Sequence, residues 1–201
     1  MGEIATNDPA PLERLAQRAG QAVEKLAHMQ ERLFHPLRRR KARRELTEKR
    51  IRSVLFLCHG NAYRSPYAAA AFERALAARS SSTSIEVASA GFIAPGREAP
   101  AQALSLARAR GIDLSSHRST LVTAQAVGAA DLVAVMSEDQ ARGVRSRYGQ
   151  RVMLLILGDL DPLSIESRTI TDPLGHDAQL VEEVYSRIDR CVEQIAALIA
   201  E

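Results

Sequence analysis

The sequence predicts an α/β fold: an open, doubly wound sheet of four parallel strands flanked by helices, preceded by an N-terminal helical extension. Three observations lead there. After residue 50 short apolar runs alternate with helix-period patterns, the texture of a parallel sheet. The first of those runs ends at a cysteine whose loop opens into a proline-started helix. Before residue 50 the pattern is helical and basic, without strand signals. With 201 residues, 46% hydrophobic and 25% charged, the chain is long enough to bury one core and carry one appendage. We therefore divide it into an extension, 1–50, and a domain, 51–201.

In the extension, Leu12, Ala19, Leu26 and Leu33 step by sevens, with Ala16, Val23 and Leu37 on the adjoining row. This spacing predicts one amphipathic helix. Pro36 is expected to end or kink it. The run from Arg38 to Arg44 is too densely charged to face a core. Residues 1–50 hold 12 Lys/Arg against 7 Asp/Glu, whereas the rest holds 15 against 17, so the positive excess belongs to the extension. Three uses compete for it. The helix packs on the domain through Leu12, Leu26 and Leu33; or it self-associates along its sevenfold seam; or residues 12–44 contact an anionic surface, each basic residue contributing about 1 kcal/mol near lipid. Nucleic acid is disfavoured, because no aromatic interleaving or binding motif accompanies the charge.

In the domain, strands are predicted over 53–57, 85–88, 132–136 and 152–157, and helices over 66–79, 99–110, 138–148 and 177–200. Ser137-Glu138-Asp139-Gln140 reads as a capping box starting the third helix. Residues 80–84, serine and threonine only, read as a loop.

Composition excludes several classes. The two cysteines, Cys58 and Cys191, are far apart and lack Cys/His neighbours, so neither a disulfide framework nor a metal site is expected. No run approaches the ~18 apolar residues of a membrane span, and the N-terminus lacks a secretory core. A soluble, cytoplasmic protein is expected.

The informative stretch is Val54-Leu55-Phe56-Leu57-Cys58-His59-Gly60-Asn61-Ala62-Tyr63-Arg64-Ser65-Pro66. Proline tolerates the first helical turn, so the loop after Cys58 sits at a helix N-terminus, where free N–H groups and the helix dipole favour an anion. His59, Gly60, Asn61, Ala62, Tyr63, Arg64 and Ser65 are thus expected to form a phosphate-binding loop, or P-loop. Gly60 and Asn61 suit its tight backbone. Arg64, six positions after Cys58, presents a planar fork for two phosphate oxygens. Cys58 lies under the phosphorus as a thiolate nucleophile, with Ser65 donating to its sulfur. His59 is expected to point outward, and His35 and His176 to be solvated.

A phosphoester also needs an acid for its leaving oxygen. Two Asp-Pro pairs follow the fourth strand, at Asp161 and Asp172, and proline stiffens either aspartate.

The stretch from Cys58 to Pro66 resembles the signature loop of the low-molecular-weight protein tyrosine phosphatases, and the likeness extends over about residues 51–200. Ser89-Ala90-Gly91, Gly111-Ile112-Asp113, His117-Arg118 and Asp131-Leu132 up to Met136 resemble further landmarks. The resemblance implies a cysteine-dependent protein phosphatase without metal or cofactor, acting through a phosphocysteine. It implies that Ser89 and His117 support the loop through Asn61, that Asp172 rather than Asp161 is the acid, and that the partner is a phosphorylated protein, most simply at phosphotyrosine.

The chain departs from that pattern at two positions. Tyr63 replaces a second cysteine, removing a protective disulfide. Leu174 replaces the aromatic after Asp-Pro, so Phe92 or Tyr63 would have to supply a wall for a tyrosine ring. Phosphoarginine hydrolysis by the same fold and phosphate binding without turnover are the alternatives. Arsenate reduction is disfavoured, since the relay would need Cys191, which reads as a core residue of the last helix.

Overall fold

The computed structural model describes residues 11–79, 84–149 and 152–199. The side chains of residues 11–24 and 27 lie outside that description, as does most of the predicted serine loop. Helix α1 spans Pro11–Thr47 and leads to strand β1, Ser53–Cys58. Helix α2, Arg64–Ala77, strand β2, Glu86–Gly91, and helix α3, Ala101–Ala109, follow. Then come α4, Ala124–Ala129, β3, Leu132–Val135, α5, Glu138–Tyr148, and β4, Met153–Ile156. A 3-10 turn, Leu157–Leu160, and helix α6, Ala178–Ile199, complete the chain.

The four strands are parallel in the order β2-β1-β3-β4, giving the expected doubly wound sheet. Alternation along β1 explains the two layers. Val54, Phe56 and Cys58 face the cluster formed with α2, α3 and α6, while Leu55 and Leu57 face the one formed with α4 and α5. Strands buried on both faces read as unbroken apolar runs, which made β1 and β3 visible in the sequence. Asp131 fixes their register at the base: its carboxylate accepts from Arg52 N and Ser53 N at 2.8 and 3.1 Å. Ser137 caps α5 by accepting from Gln140 N, as the capping pattern predicts.

The extension departs from four expectations. Helix α1 runs through Pro36 without ending. Its inward face is held beyond that point by buried Ala42 and Leu46 and beside it by His35, and Arg38 turns back to donate to the Glu31 carbonyl at 3.2 Å. The packed face is thus not the sevenfold row: Leu26 and Leu33 are 55% and 69% exposed, and Leu12 is outside the described side chains. Nor is the basic run wholly solvated. Arg38 reaches Asp159, and Arg39 and Arg43 both donate to Gln194 Oε1 at 2.8 Å. His35, expected in solvent, is buried. His35 lies two residues from Leu33, on the helix side opposite the apolar row, and spacing alone leaves open which side meets the domain.

Candidate active site

Strand β1 ends at Cys58 in the middle of the sheet, where the chain winds to opposite sides, the usual place for a ligand crevice. The loop from His59 to Tyr63 curls over the sulfur and enters α2 at Arg64. Cys58 is almost fully buried, and its Sγ accepts from Asn61 N at 3.2 Å and Ser65 Oγ at 3.0 Å.

Asn61 organises the loop. Its φ of 47° is left-handed, a region asparagine tolerates. Its Nδ2 donates to Ser65 Oγ and Ser89 Oγ, both at 2.9 Å, and its Oδ1 accepts from Thr120 N at 2.9 Å. His117 Nε2 lies 2.8 Å from the Asn61 carbonyl. Gly91 permits this packing: a Cβ there would stand 2.8 Å from Asn61 N and 2.9 Å from His59 O. Thr120 and Gly91 are supports that the residue-by-residue reading missed, because each acts through backbone geometry.

Arg64 is buried. Its Nη1 donates to the Ile170 carbonyl at 3.1 Å, its Nη2 contacts the Asp172 carboxylate, and its Nε has no partner among the described residues. A cleft of about 150 Å³ is lined by Cys58, Arg64 and Asp172, with Ile93, Arg97 and Leu174 at its mouth. Burial, reinforced by the Asp172 charge, pushes the neighbouring Tyr63 phenol up and keeps it neutral.

Asp161 has a different setting. It is buried away from the cleft, with Arg190 donating to both carboxylate oxygens at 2.9 and 2.8 Å and the Arg187 guanidinium forming an ion pair with it at 3.2 Å. Burial alone would raise its carboxyl. Hydrogen bonds from Arg190 and the Leu163 amide, with the charges of Arg190 and Arg187, outweigh that and hold it below the ordinary range. Cys191 is buried in α6, where desolvation pushes its thiol far up.

Of the two aromatics expected as walls, Phe92 packs against the second core layer, whereas the buried Tyr63 lines the cleft. The exposed walls are Ile93, from the β2–α3 loop, and Leu174. Arg97, from the same loop, lies on the rim with Nη2 3.2 Å from the Gly60 carbonyl. Loop residues without periodicity gave no signal of their placement. His59 and His176 are exposed.

The family model for low molecular weight phosphotyrosine protein phosphatase matches residues 53–201. The chain belongs to this family. A probable low molecular weight protein-tyrosine-phosphatase EpsP of Ralstonia solanacearum is 31% identical over 145 residues, covering 71% of this chain and 92% of that protein. Among solved structures, the YwlE arginine phosphatase from Geobacillus stearothermophilus aligns with a TM-score of 0.62 at 25% identity, covering 72% of this chain and 90% of that one. The low molecular weight protein tyrosine phosphatase from T. tengcongensis aligns with a TM-score of 0.63 at 27% identity, covering 71% and 95%. The matched segment of this phosphatase-family chain begins at β1, so α1 lies outside the family model.

Proposed function

We propose that this protein hydrolyses phosphotyrosine in proteins through a phosphocysteine intermediate. The carrying observation is the convergence of Cys58 Sγ, the 59–65 loop, Arg64 and Asp172 on one cleft. The Cys58 thiolate attacks phosphorus, forming the S–P bond as the P–O bond to the leaving group breaks, and Asp172 protonates the departing oxygen. Water then attacks the phosphocysteine, giving a proton to the Asp172 carboxylate, and the S–P bond breaks to return the thiolate. Loop amides and Arg64 stabilise the charge on the equatorial oxygens. Ser65 Oγ hydrogen-bonds the sulfur and favours its departure.

The aliphatic walls Ile93 and Leu174 suit the faces of a tyrosine ring, and the buried Cys58 lines the same cleft. A second reading, phosphoarginine hydrolysis, is supported by the Glu98 carboxylate at the same mouth, although it already pairs with Arg118 at 2.7 Å. The test is phosphate release from matched phosphotyrosine and phosphoarginine peptides, with p-nitrophenyl phosphate as a common reference. Faster turnover of the phosphotyrosine peptide supports the first reading, and the reverse order establishes the second. Binding of phosphate without turnover of any substrate leaves a phosphate-binding module.

A reducing compartment suits the mechanism, since both cysteines are free thiols and the nucleophile has no nearby cysteine to protect it. No helix among the described residues is long and apolar enough to cross a membrane. We place the protein in the cytoplasm. The outward face of α1 supports self-association: Leu26, Met29, Leu33 and Leu37 are exposed on one stripe, opposite the face that packs on the domain. Sedimentation should show a dimer that Leu26→Glu with Leu33→Glu converts to monomer, and a monomeric parent chain rules this out.

A further inference from the structure

The segment after β4 carries Asp172, and its anchors form one connected set. Ile170 N donates to the Met136 carbonyl at 2.8 Å, and the Ile170 carbonyl accepts from Arg64, two residues before Asp172. Arg187 donates to the Thr169 and Ser167 carbonyls at 2.9 and 2.6 Å. Arg168 grips both oxygens of Asp159, at 3.2 and 2.5 Å, and Glu138 at 2.5 Å. The Arg168 carbonyl also passes so close to Gly158 that a Cβ there would lie 2.1 Å from it.

Helix α1 joins this set twice. Arg38 Nε donates to Asp159 Oδ1 at 3.3 Å, the oxygen Arg168 also uses, and Arg38 Nη2 is steadied by Glu31 at 2.6 Å. One turn and a half earlier, Arg32 meets Glu166 at 2.5 Å. The Asp159 side chain is only 7% exposed, so its negative charge is poorly solvated and depends on both arginines. The extension thus touches the acid-bearing segment at its root and near its middle.

We propose that α1 is a positioning element for the general acid, with Arg38 acting through Asp159 and Arg168 on the segment that presents Asp172. Loss of Arg38 leaves Arg168 as the one arginine on Asp159 among the described residues and loosens the return of the chain over Gly158. Asp172 then spends less time aligned with the leaving oxygen, while Cys58 and its loop, held by Asn61, Ser89 and His117, are untouched. The chemistry affected is proton transfer at Asp172, to the leaving oxygen in the first step and from water in the second, rather than phosphate binding. This inference rests on the assignment of Asp172 as acid.

The test measures kcat and KM for p-nitrophenyl phosphate, whose leaving group needs little protonation, and phenyl phosphate, whose leaving phenol needs much. Full-length parent, Arg38→Met, Arg38→Lys, Arg32→Ala and Asp172→Asn are compared. Asp172→Asn should slow phenyl phosphate by about 10² or more relative to p-nitrophenyl phosphate. Arg38→Met should reproduce part of that discrimination, roughly tenfold in kcat/KM, which covers the steps through phosphocysteine formation, and Arg38→Lys should restore it in part. Arg32→Ala, at an exposed pair that the fold does not need, should move in the same direction to a smaller extent, which preserves the test if Arg38→Met does not fold. A loss of kcat/KM that is equal on both substrates is what a merely structural role produces. Equal loss in the arginine variants beside a discriminating loss in Asp172→Asn overturns the positioning role and leaves the acid assignment standing. No discrimination in Asp172→Asn overturns the acid assignment itself.

Discussion

Arg64 and Asp172 meet across the cleft, one guanidinium nitrogen on the carboxylate while another holds the Ile170 carbonyl at 3.1 Å. An incoming oxyanion competes with Asp172 for the same cation, and the carboxylate repels it. Asp172→Asn should therefore bind phosphate or vanadate several-fold more tightly while losing about 10²- to 10⁴-fold in turnover. Cys58→Ser should lose turnover and keep binding. Calorimetry beside steady-state kinetics checks both, and weaker binding by Asp172→Asn would contradict the competition.

Asn61 spends its side chain on three buried partners and its backbone on a left-handed turn. Asn61→Ala should cost about 2–4 kcal/mol in urea unfolding, because Ser65, Ser89 and Thr120 lose partners in a buried site. Gly91→Ala should depress kcat by at least about tenfold, since its new methyl would strike backbone atoms of Asn61 and His59 that cannot move aside. Normal activity in Gly91→Ala would mean that β2 yields instead of the loop.

Acid should weaken the Asp161 cluster. Its folded carboxyl is held below the unfolded value, about 3.9. The contribution is therefore complete above that pH and is lost as pH falls through the folded value. Asp161→Asn should destabilise the protein by about 3 kcal/mol near neutrality, leaving Arg187 and Arg190 without their buried partner. The difference from the parent should shrink as pH falls below the unfolded value of about 3.9, measurable as converging denaturation midpoints.

His35 titrates in a milder range. Burial lowers its affinity for a proton, with Asp159 and Asp161 opposing and Arg38 assisting. A lowered folded value means that its contribution is whole above the unfolded value of about 6.5 and is lost as pH falls through the folded one. The docking of α1 should weaken on acidification below about pH 6.5. His35→Leu, which removes a buried nitrogen lacking a partner, should flatten the dependence of Tm on pH over this range.

Strand and helix types, the parallel sheet and the loop at Cys58 were legible because each is written locally. Apolar runs marked strands buried on both faces, and Cys58 to Pro66 carried the strand-end cysteine, turn and helix start within nine residues. Helix α4 and the 3-10 turn went unseen, being too short for periodicity to register. The two Asp-Pro pairs are alike in the residues themselves, and their surroundings distinguish them: Arg190 and Arg187 enclose Asp161, whereas Asp172 reaches Arg64.

By itself the sequence located the four strands, the longer helices and the tight loop from Cys58 to Pro66, all consequences of neighbours along the chain. Only the tertiary structure decided which face of α1 meets the domain, that Ile93 and Leu174 wall the cleft, and that Arg38 and Arg32 reach the acid-bearing segment. The physical reason is distance along the chain: Arg38 and Asp159 are 121 residues apart. Their meeting depends on how α1 and α6 pack beside the sheet, which no local propensity encodes.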